Sequence, residues 1–516
     1  MHPRRNGFRS GRRRDETGVR RGERAARCGP RVPGDHPLPA PAGPHRTRCR
    51  SYHGRWPDRE NRGSRPGAGG RTERLCRYPG GGRLMALPQA KLDLTEARLA
   101  ALSLPDGAGW ANAARADAVA RLRAMGLPTR RDEYWKFTSP DTLTRADAPR
   151  AALFDGDETP LYSGIDRLKI VFVDGVFDAD QSDDLSLEHV SIEHLADVTA
   201  TDIHWARDLY GQLEIAGQEP VHRPLATLNT AFARDGVVIR VTGKVEKPIS
   251  LVYLHASDSS DAILHHLVRV EEGGDVTVLE NGPAAARFNK VMEISVADGA
   301  AFHHVRAQGR DHERRAVTHM FARLGRESTY KSFTLTANGV LTRNEHVIEL
   351  TGDDAVAHVA GAAMGDGARA EFHHDDTVFI THDAERCESR QVFKKVLRNG
   401  AEGVFQGKIL VKPGAQKTDG YQISQALMLD DESSFQGKPE LEIYADDVVC
   451  SHGSTTGAID ETALYYLRSR GVPADQATDL LVLAFLAEAI DEIEDARLQD
   501  DIRTRLQEWL ERRRQG

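Results

Sequence analysis

The spacing of apolar residues changes character twice along the 516-residue chain. Over residues 93–126, Leu99, Leu102 and Leu104, then Ala118, Leu122 and Met125, recur at amphipathic-helix intervals, with a break at 105–109. Gly126-Leu127-Pro128 predicts the end of that region, because glycine suits the left-handed residue after a helix and proline cannot continue one. An aromatic, charged segment follows: Arg131-Asp132-Glu133-Tyr134-Trp135-Lys136-Phe137-Thr138. From about 166 to 450 the pattern becomes short runs of Val, Ile, Leu and Tyr bounded by Gly, Asp, Asn or Pro. Examples are 168–173, 237–241, 250–254, 264–270, 276–279, 291–296, 378–380 and 407–411. Short strands over nearly 300 residues, with hardly a helical stretch between them, predict a mainly β body. A sandwich, a barrel and a β-solenoid all satisfy that pattern, and no exact short repeat selects among them.

After Gly457 the period returns to that of helices. Asp460 is a good N-cap, and Leu464, Tyr465 and Leu467 form a stripe that stops at Gly471. Pro473 suits the start of a second helix, whose apolar positions over 480–490 nearly encircle it and demand cover from more than one side. A third, about 497–513, is highly charged, with Leu498, Ile502, Leu506 and Leu510 on one face. Its Arg512, Arg513 and Arg514 complement the helix dipole. The chain thus divides into a head (1–84), an N-terminal helical domain (85–165), a β core (166–457) and a C-terminal helical domain (458–516).

Composition sets the head apart. Residues 1–84 hold 22 Arg, no Lys and 7 Asp/Glu, a net +15; the whole chain carries −8, so the remainder carries −23. An acidic body repels phosphates and argues against nucleic acid as its partner. The head has too few aliphatic residues to offset its ordering entropy and is expected to be disordered. Its Arg, Gly and Pro bias, without Lys or Ile, is that of GC-rich codons, and the expected initiator is Met85. A transit peptide or a basic nucleic-acid arm would share the bias. No apolar run approaches a membrane span, and no compact apolar stretch follows the basic N-terminus, so the expected compartment is the cytosol. Only Cys387 and Cys450 lie outside the head, too few for a disulfide framework.

The candidate chemistry is sparse. Gly403-Val404-Phe405-Gln406-Gly407-Lys408-Ile409 resembles part of a phosphate-binding loop, but its glycine spacing is one short and Ile409 replaces the magnesium-binding hydroxyl, so turn and strand are expected. Three pairs, His265-His266, His303-His304 and His373-His374, cannot each offer both rings to one metal from a regular strand, since neighbouring side chains point to opposite faces. The last pair leads into Asp375, Asp376, His382, Asp383 and Cys387, possible metal ligands without closed spacing, so a polar strand and turn facing solvent is expected ahead of a metal site. Cys450-Ser451-His452 is sharper. If it continues a strand from 441–449, Cys450 and His452 share a face, and a thiolate beside an imidazole suits iron or an iron–sulfur species. Two ligands are too few for a cluster, so others must come from elsewhere. The structural alternative is a buried cysteine beside a surface histidine.

Several stretches resemble the SufB/SufD family. They are 439–448 (Pro-Glu-Leu-Glu-Ile-Tyr-Ala-Asp-Asp-Val), Cys450-Ser451-His452-Gly453 and Leu467-Arg468-Ser469-Arg470-Gly471. Upstream, 403–409, Ala415-Gln416-Lys417-Thr418-Asp419, and Glu133 with Trp135-Lys136-Phe137-Thr138 are also similar. SufB-like sequences carry a Glu-His-Glu-type run where Ser451-His452-Gly453 stands, and a cysteine upstream where 418–429 has none; both departures point to the SufD branch. The resemblance implies a right-handed parallel β-helix core flanked by N-terminal and C-terminal α-helical domains. It implies a non-catalytic scaffold that pairs with a SufB-type paralogue and binds a SufC-type ABC ATPase through its C-terminal helices. Cys450 and His452 would then be interface ligands for a nascent Fe–S cluster shared with SufB, and no nucleotide would bind directly. The other readings are a SufB-like paralogue and a β-solenoid polysaccharide-active enzyme.

The composition break makes one prediction. Intact mass of the natively expressed protein is expected to place its first residue at or near Met85; a species retaining 1–84 would contradict it.

Overall fold

A computed structural model describes residues 87–515, apart from 154–159, 283, 310–312 and 369. The Arg-rich head and Met85 lie outside the described residues, as do the side chains of Arg512, Arg513 and Arg514.

Two sheets, of ten and nine strands, make up the body, and successive strands alternate between them over most of its length. From Asp261 onward the pairing is parallel. In the nine-stranded sheet Asp261 lies opposite Arg287, Arg287 opposite Arg315, Arg315 opposite Leu341, Leu341 opposite His373, His373 opposite Glu402 and Glu402 opposite Ser434. Each step is one coil of a parallel β-solenoid of about seven turns. The expected mainly β, β-helical core with helical flanks is the observed architecture. The coil length varies from step to step, which is why no fixed repeat shows in the sequence. Corners absorb the difference: Asn399-Gly400, with φ of 55° and 74°, turn the chain between Glu388–Arg398 and Glu402–Val411, a conformation that Asn and Gly adopt at little cost.

The two ends differ. Antiparallel pairs, Leu168–Val173 with Val176–Asp178 and Val190–His194 with Val237–Val241, terminate the sheets at the first coils. At the other end Ser434–Ile443 and Val449–Gly457 are the last strands of their sheets, each paired on one side only.

Both faces of each sheet are covered along much of their length, as parallel sheets require. Phe288, Met292, Phe302, Met320, Tyr330 and Ile348 belong to the apolar interior. Outside the nine-stranded sheet, Leu122, Leu225, Leu228 and Phe232 pack on Ile263, Leu267, Val291, Val317 and Phe321. Leu195, Val198 and Leu213 join the same cluster, which thus draws on helices the apolar pattern did not predict, Leu195–Ala200, Gln212–Ala216 and Pro224–Phe232. All nine residues of the last are buried, because it lies between Gly109–Met125 and the strands. Outside the ten-stranded sheet, Ala474–Ile490 and Ala496–Gln515 lay Val482, Leu486, Leu498, Ile502 and Leu506 on Val305, Phe333, Ala362 and Val396. Each such side chain contributes about 1.5–3 kcal/mol on leaving water.

The interior is not wholly apolar. Lys290 and Glu280 pair inside it, His304 Nε2 lies 3.0 Å from Glu280, and Arg306 donates to Thr318. Burial pushes the Lys290 ammonium down to about 8. Burial also lowers His266 to about 3, and His304 and His382 to about 4. No helix among the described residues is long and apolar enough to cross a membrane.

The buried histidines make stability fall with acidification. From an ordinary value of 6.5, their folded values are lowered, so the unfolded chain binds protons that the folded chain refuses. Stability is complete above about pH 6.5 and is lost as pH falls towards 4, by up to about 1.4 kcal/mol per unit for each ring. Thermal unfolding midpoints are expected to drop steadily between these values, and His382→Gln is expected to flatten the slope; a midpoint independent of pH there would refute the account.

Candidate functional site

The open end of the solenoid brings the sequence candidates to one place. Cys450 and His452 do not continue the strand before them, as first expected. Ser434–Ile443 ends in the nine-stranded sheet, residues 444–448 cross over, and Val449–Gly457 starts afresh as the last strand of the ten-stranded sheet. The same-face expectation survives this correction, because both residues lie two apart in one regular strand. Cys450 is opposite Gly420 and His452 opposite Gln422.

The face they share points into the mouth of the solenoid. A Cβ at position 420 would lie 3.2 Å from Cys450 Sγ, so glycine there lets the thiol settle against the coil below. Ile409, Leu441 and Val448 pack around it. Burial pushes the half-buried Cys450 thiol above its ordinary range, and the charge of Asp419 adds to the shift. Ser424 Oγ donates to Ser454 Oγ at 3.0 Å, two residues further along the same face. Beneath His452, buried Gln422 donates Nε2 to Gln391 Oε1 at 2.7 Å, leaving Gln422 Oε1 and Gln391 Nε2 without a hydrogen-bond partner among the described residues. His452 itself is exposed. Among the described residues no three His, Cys, Asp or Glu are grouped to hold a metal ion. Chemically this is a half-site: one soft sulfur donor and one imidazole at an edge where the next strand is missing.

The three histidine pairs split as strand geometry requires. His265 faces Glu293 at 2.8 Å while His266 faces Tyr253 at 3.1 Å. His303 lies 3.7 Å from Glu494 of the C-terminal region, and His304 turns inward to Glu280. His373 contacts Thr138 and Glu402, each at 2.9 Å, whereas His374 meets Lys395 at 2.9 Å inside. The expectation that this strand and turn face solvent holds for the turn, where Asp383 is exposed, and is overturned for the strand: His374, Asp375, Asp376 and His382 are buried, as is Cys387. Asp375 is held by Arg343, and Asp376 by Lys395, so these carboxylates serve ion pairs. The stretch Gly403 to Ile409, read as turn and strand, is strand throughout, within Glu402–Val411.

A second surface lies on the C-terminal helices. Asp460 caps Glu461–Ser469 by accepting from the Thr462 and Ala463 amides, and no residue of this helix is buried. Tyr465 and Tyr466 are 74% and 54% exposed, and Leu480 on the next helix is 49% exposed. The all-round apolar helix is therefore covered on its solenoid side by this chain itself, with Leu480 left outside. Gln422, Gln391 and Gly420 escaped sequence reading. Their only signal is a separation of one coil, or two for Gln391, from residues 450–452, and the coil length shows only in the folded chain.

A family model for the SufBD N-terminal region matches residues 105–251, and one for the SUF system FeS cluster assembly SufBD core domain matches 253–485. The iron–sulfur cluster assembly protein SufD of Escherichia coli is 28% identical over 411 residues, covering 76% of this chain and 91% of that protein. An iron–sulfur cluster assembly SufBD family protein of Synechocystis is 27% identical over 405 residues, 74% and 87% of the two chains. SufD of Bacillus subtilis is 29% identical over 280 residues, 52% and 63% of the two. With the two matches together running from the N-terminal helices through the solenoid into the C-terminal helices, this chain belongs to the SufB/SufD family.

Proposed function

We propose that this chain is the SufD-type subunit of a cytosolic iron–sulfur assembly machine, a scaffold that performs no catalysis alone. The observation that carries the reading is the placement of Cys450 and His452 on the inner face of the last strand, at an edge with no further coil. Unpaired backbone groups at such an edge invite strand addition. A SufB-type paralogue, with a solenoid of its own, supplies both the strands and the remaining ligands.

The nascent cluster is cargo of this joint. The Cys450 thiol, neutral in its apolar seat, gives up its proton when iron approaches, since the thiolate is the ligand. His452 offers an imidazole lone pair to iron or accepts the proton released by an incoming thiol or sulfide. Nucleotide binding and hydrolysis belong to a SufC-type ATPase, which docks on the helices 461–490. Tyr465, Tyr466 and Leu480 are aromatic and aliphatic anchors of the kind that dominate protein interfaces.

Two predictions follow from these surfaces. In a strain lacking this gene, His452→Ala in an intact complex is expected to lower Fe–S enzyme activity by about tenfold or more. Cys450→Ser is expected to be comparable if the thiol is a ligand, and milder if the SufB thiol carries the sulfur. Normal activity with His452→Ala, with complex assembly verified by gel filtration, would show the ring to be structural. At the second surface, Tyr465→Ala with Leu480→Asp is expected to weaken ATPase binding by at least about tenfold, leaving circular dichroism unchanged because neither side chain is buried. Stoichiometric co-purification of the ATPase with that variant would refute the docking assignment.

A further inference from the structure

The aromatic, charged segment 131–138 is absorbed by neither surface, yet it is tied across four consecutive strands of the nine-stranded sheet. Thr138 Oγ1 donates to Asp375 at 2.6 Å. The Arg343 guanidinium sits 4.2 Å above the Trp135 ring and donates to the Tyr134 carbonyl at 2.7 Å. Gln406, two strands closer to the open end, donates to the same carbonyl at 3.2 Å. The Tyr134 ring packs edge-on to Phe379, with centroids 5.2 Å apart, and its hydroxyl donates to Glu440 at 2.9 Å. Lys438 lies 4.0 Å from the Tyr134 ring centroid, 2.9 Å from Glu133 and 3.1 Å from Glu440. Arg343, Asp375, Gln406 and Lys438 stand on successive strands, and the last of these is Ser434–Ile443 at the open end.

That strand has a hydrogen-bonded neighbour on one side only, and contains Pro439, which lacks an N–H for the ladder. Ladder bonds alone hold it less firmly than any interior strand. It also bounds the mouth: a Cβ at Gly437 would lie 2.4 Å from Ser454 Oγ, on the face that carries Cys450 and His452.

We infer that Glu133, Tyr134 and Trp135 form a strap that holds the terminal strand Ser434–Ile443 in register, with Tyr134 a positioning residue for the open end. Burial and the Glu440 carboxylate hold the Tyr134 phenol well above its ordinary range, so it stays a donor throughout the physiological pH interval. The strap itself stands on the contacts of this chain; its consequence for a partner rests on the proposed pairing with a SufB-type paralogue.

Amide exchange in the full chain, followed by partner binding, tests the two parts separately. Tyr134→Ala and Lys438→Met are each expected to accelerate exchange over 436–442 by about tenfold while leaving 315–324 unchanged. Tyr134→Phe, which keeps the ring beneath Lys438 and loses only the hydroxyl, is expected to recover most of the protection. If Tyr134→Ala fails to fold, Lys438→Met and Tyr134→Phe carry the comparison. Affinity for the paralogue is expected to fall in the same order. Unchanged exchange in Lys438→Met and in folded Tyr134 variants would overturn the strap. Accelerated exchange with undiminished affinity would overturn the positioning role. Failure of the wild-type chain to bind the paralogue would instead overturn the proposed function, with exchange still deciding the strap.

Discussion

Parallel in-register pairing between coils is the constraint on which the rest of this molecule depends. Each strand lies on the strand one coil earlier, so residues stack in columns: Tyr330, Ala357, Ser389, Gly420 and Cys450 form one, and Ser332, Val359, Gln391, Gln422 and His452 the next. A column must be compatible with itself at every step, because neighbouring strands in a sheet are only about 4.8 Å apart. Gly420 follows from this rule. The sulfur of Cys450 occupies the space a side chain at 420 would take.

The same rule explains the polar interior. Lys290 and Glu280 come from opposite sheets and meet inside with His304, so neither charge is left without a partner. Removing such ions from water is costly, and the pair is not thereby a source of stability. Its consequence is specificity: a slip of one residue would turn Lys290 out and bring Val291 in, breaking every cross-sheet contact at once. Further along, Phe393 and Phe405 pack 4.9 Å apart, and Phe393 separates Gln391 from Lys395 along one strand. The polar residues at the mouth are thus divided by an aromatic contact from the Lys395, His374 and Asp376 group within.

A sheet buried on both faces needs outer cover, and the chain supplies it from both of its helical regions. The N-terminal helices and Pro224–Phe232 cover the nine-stranded sheet, and the C-terminal helices cover the other. Cover stops at the open end and at the first C-terminal helix. Val449–Gly457 is largely exposed, and Glu461–Ser469 buries nothing. Two little-covered surfaces among the described residues are therefore a sheet edge and a tyrosine-bearing helix.

The sequence alone determined whatever depends on residues close together in the chain. Helix ends at Gly126, Asp460 and Gly471, the stripe Leu498-Ile502-Leu506-Leu510 and strands such as Leu168–Val173 were legible, because capping and periodicity act over a few residues. The pairing of Cys450 with His452 on one face was legible for the same reason. Strand lengths were underestimated: Arg287–Val296 begins four residues before its apolar run, since Asn289 and Lys290 find partners only across the fold. Pro224–Phe232 looked unremarkable because nothing local shows that both of its sides will be covered. Only the tertiary structure decided that His374, Asp375 and Asp376 are buried ion-pair members, that Gln422 lies under His452, and that Glu133 and Tyr134 reach Ser434–Ile443. Each of these joins positions about half a coil or more apart, and a coil of variable length leaves no period in the sequence by which to find them.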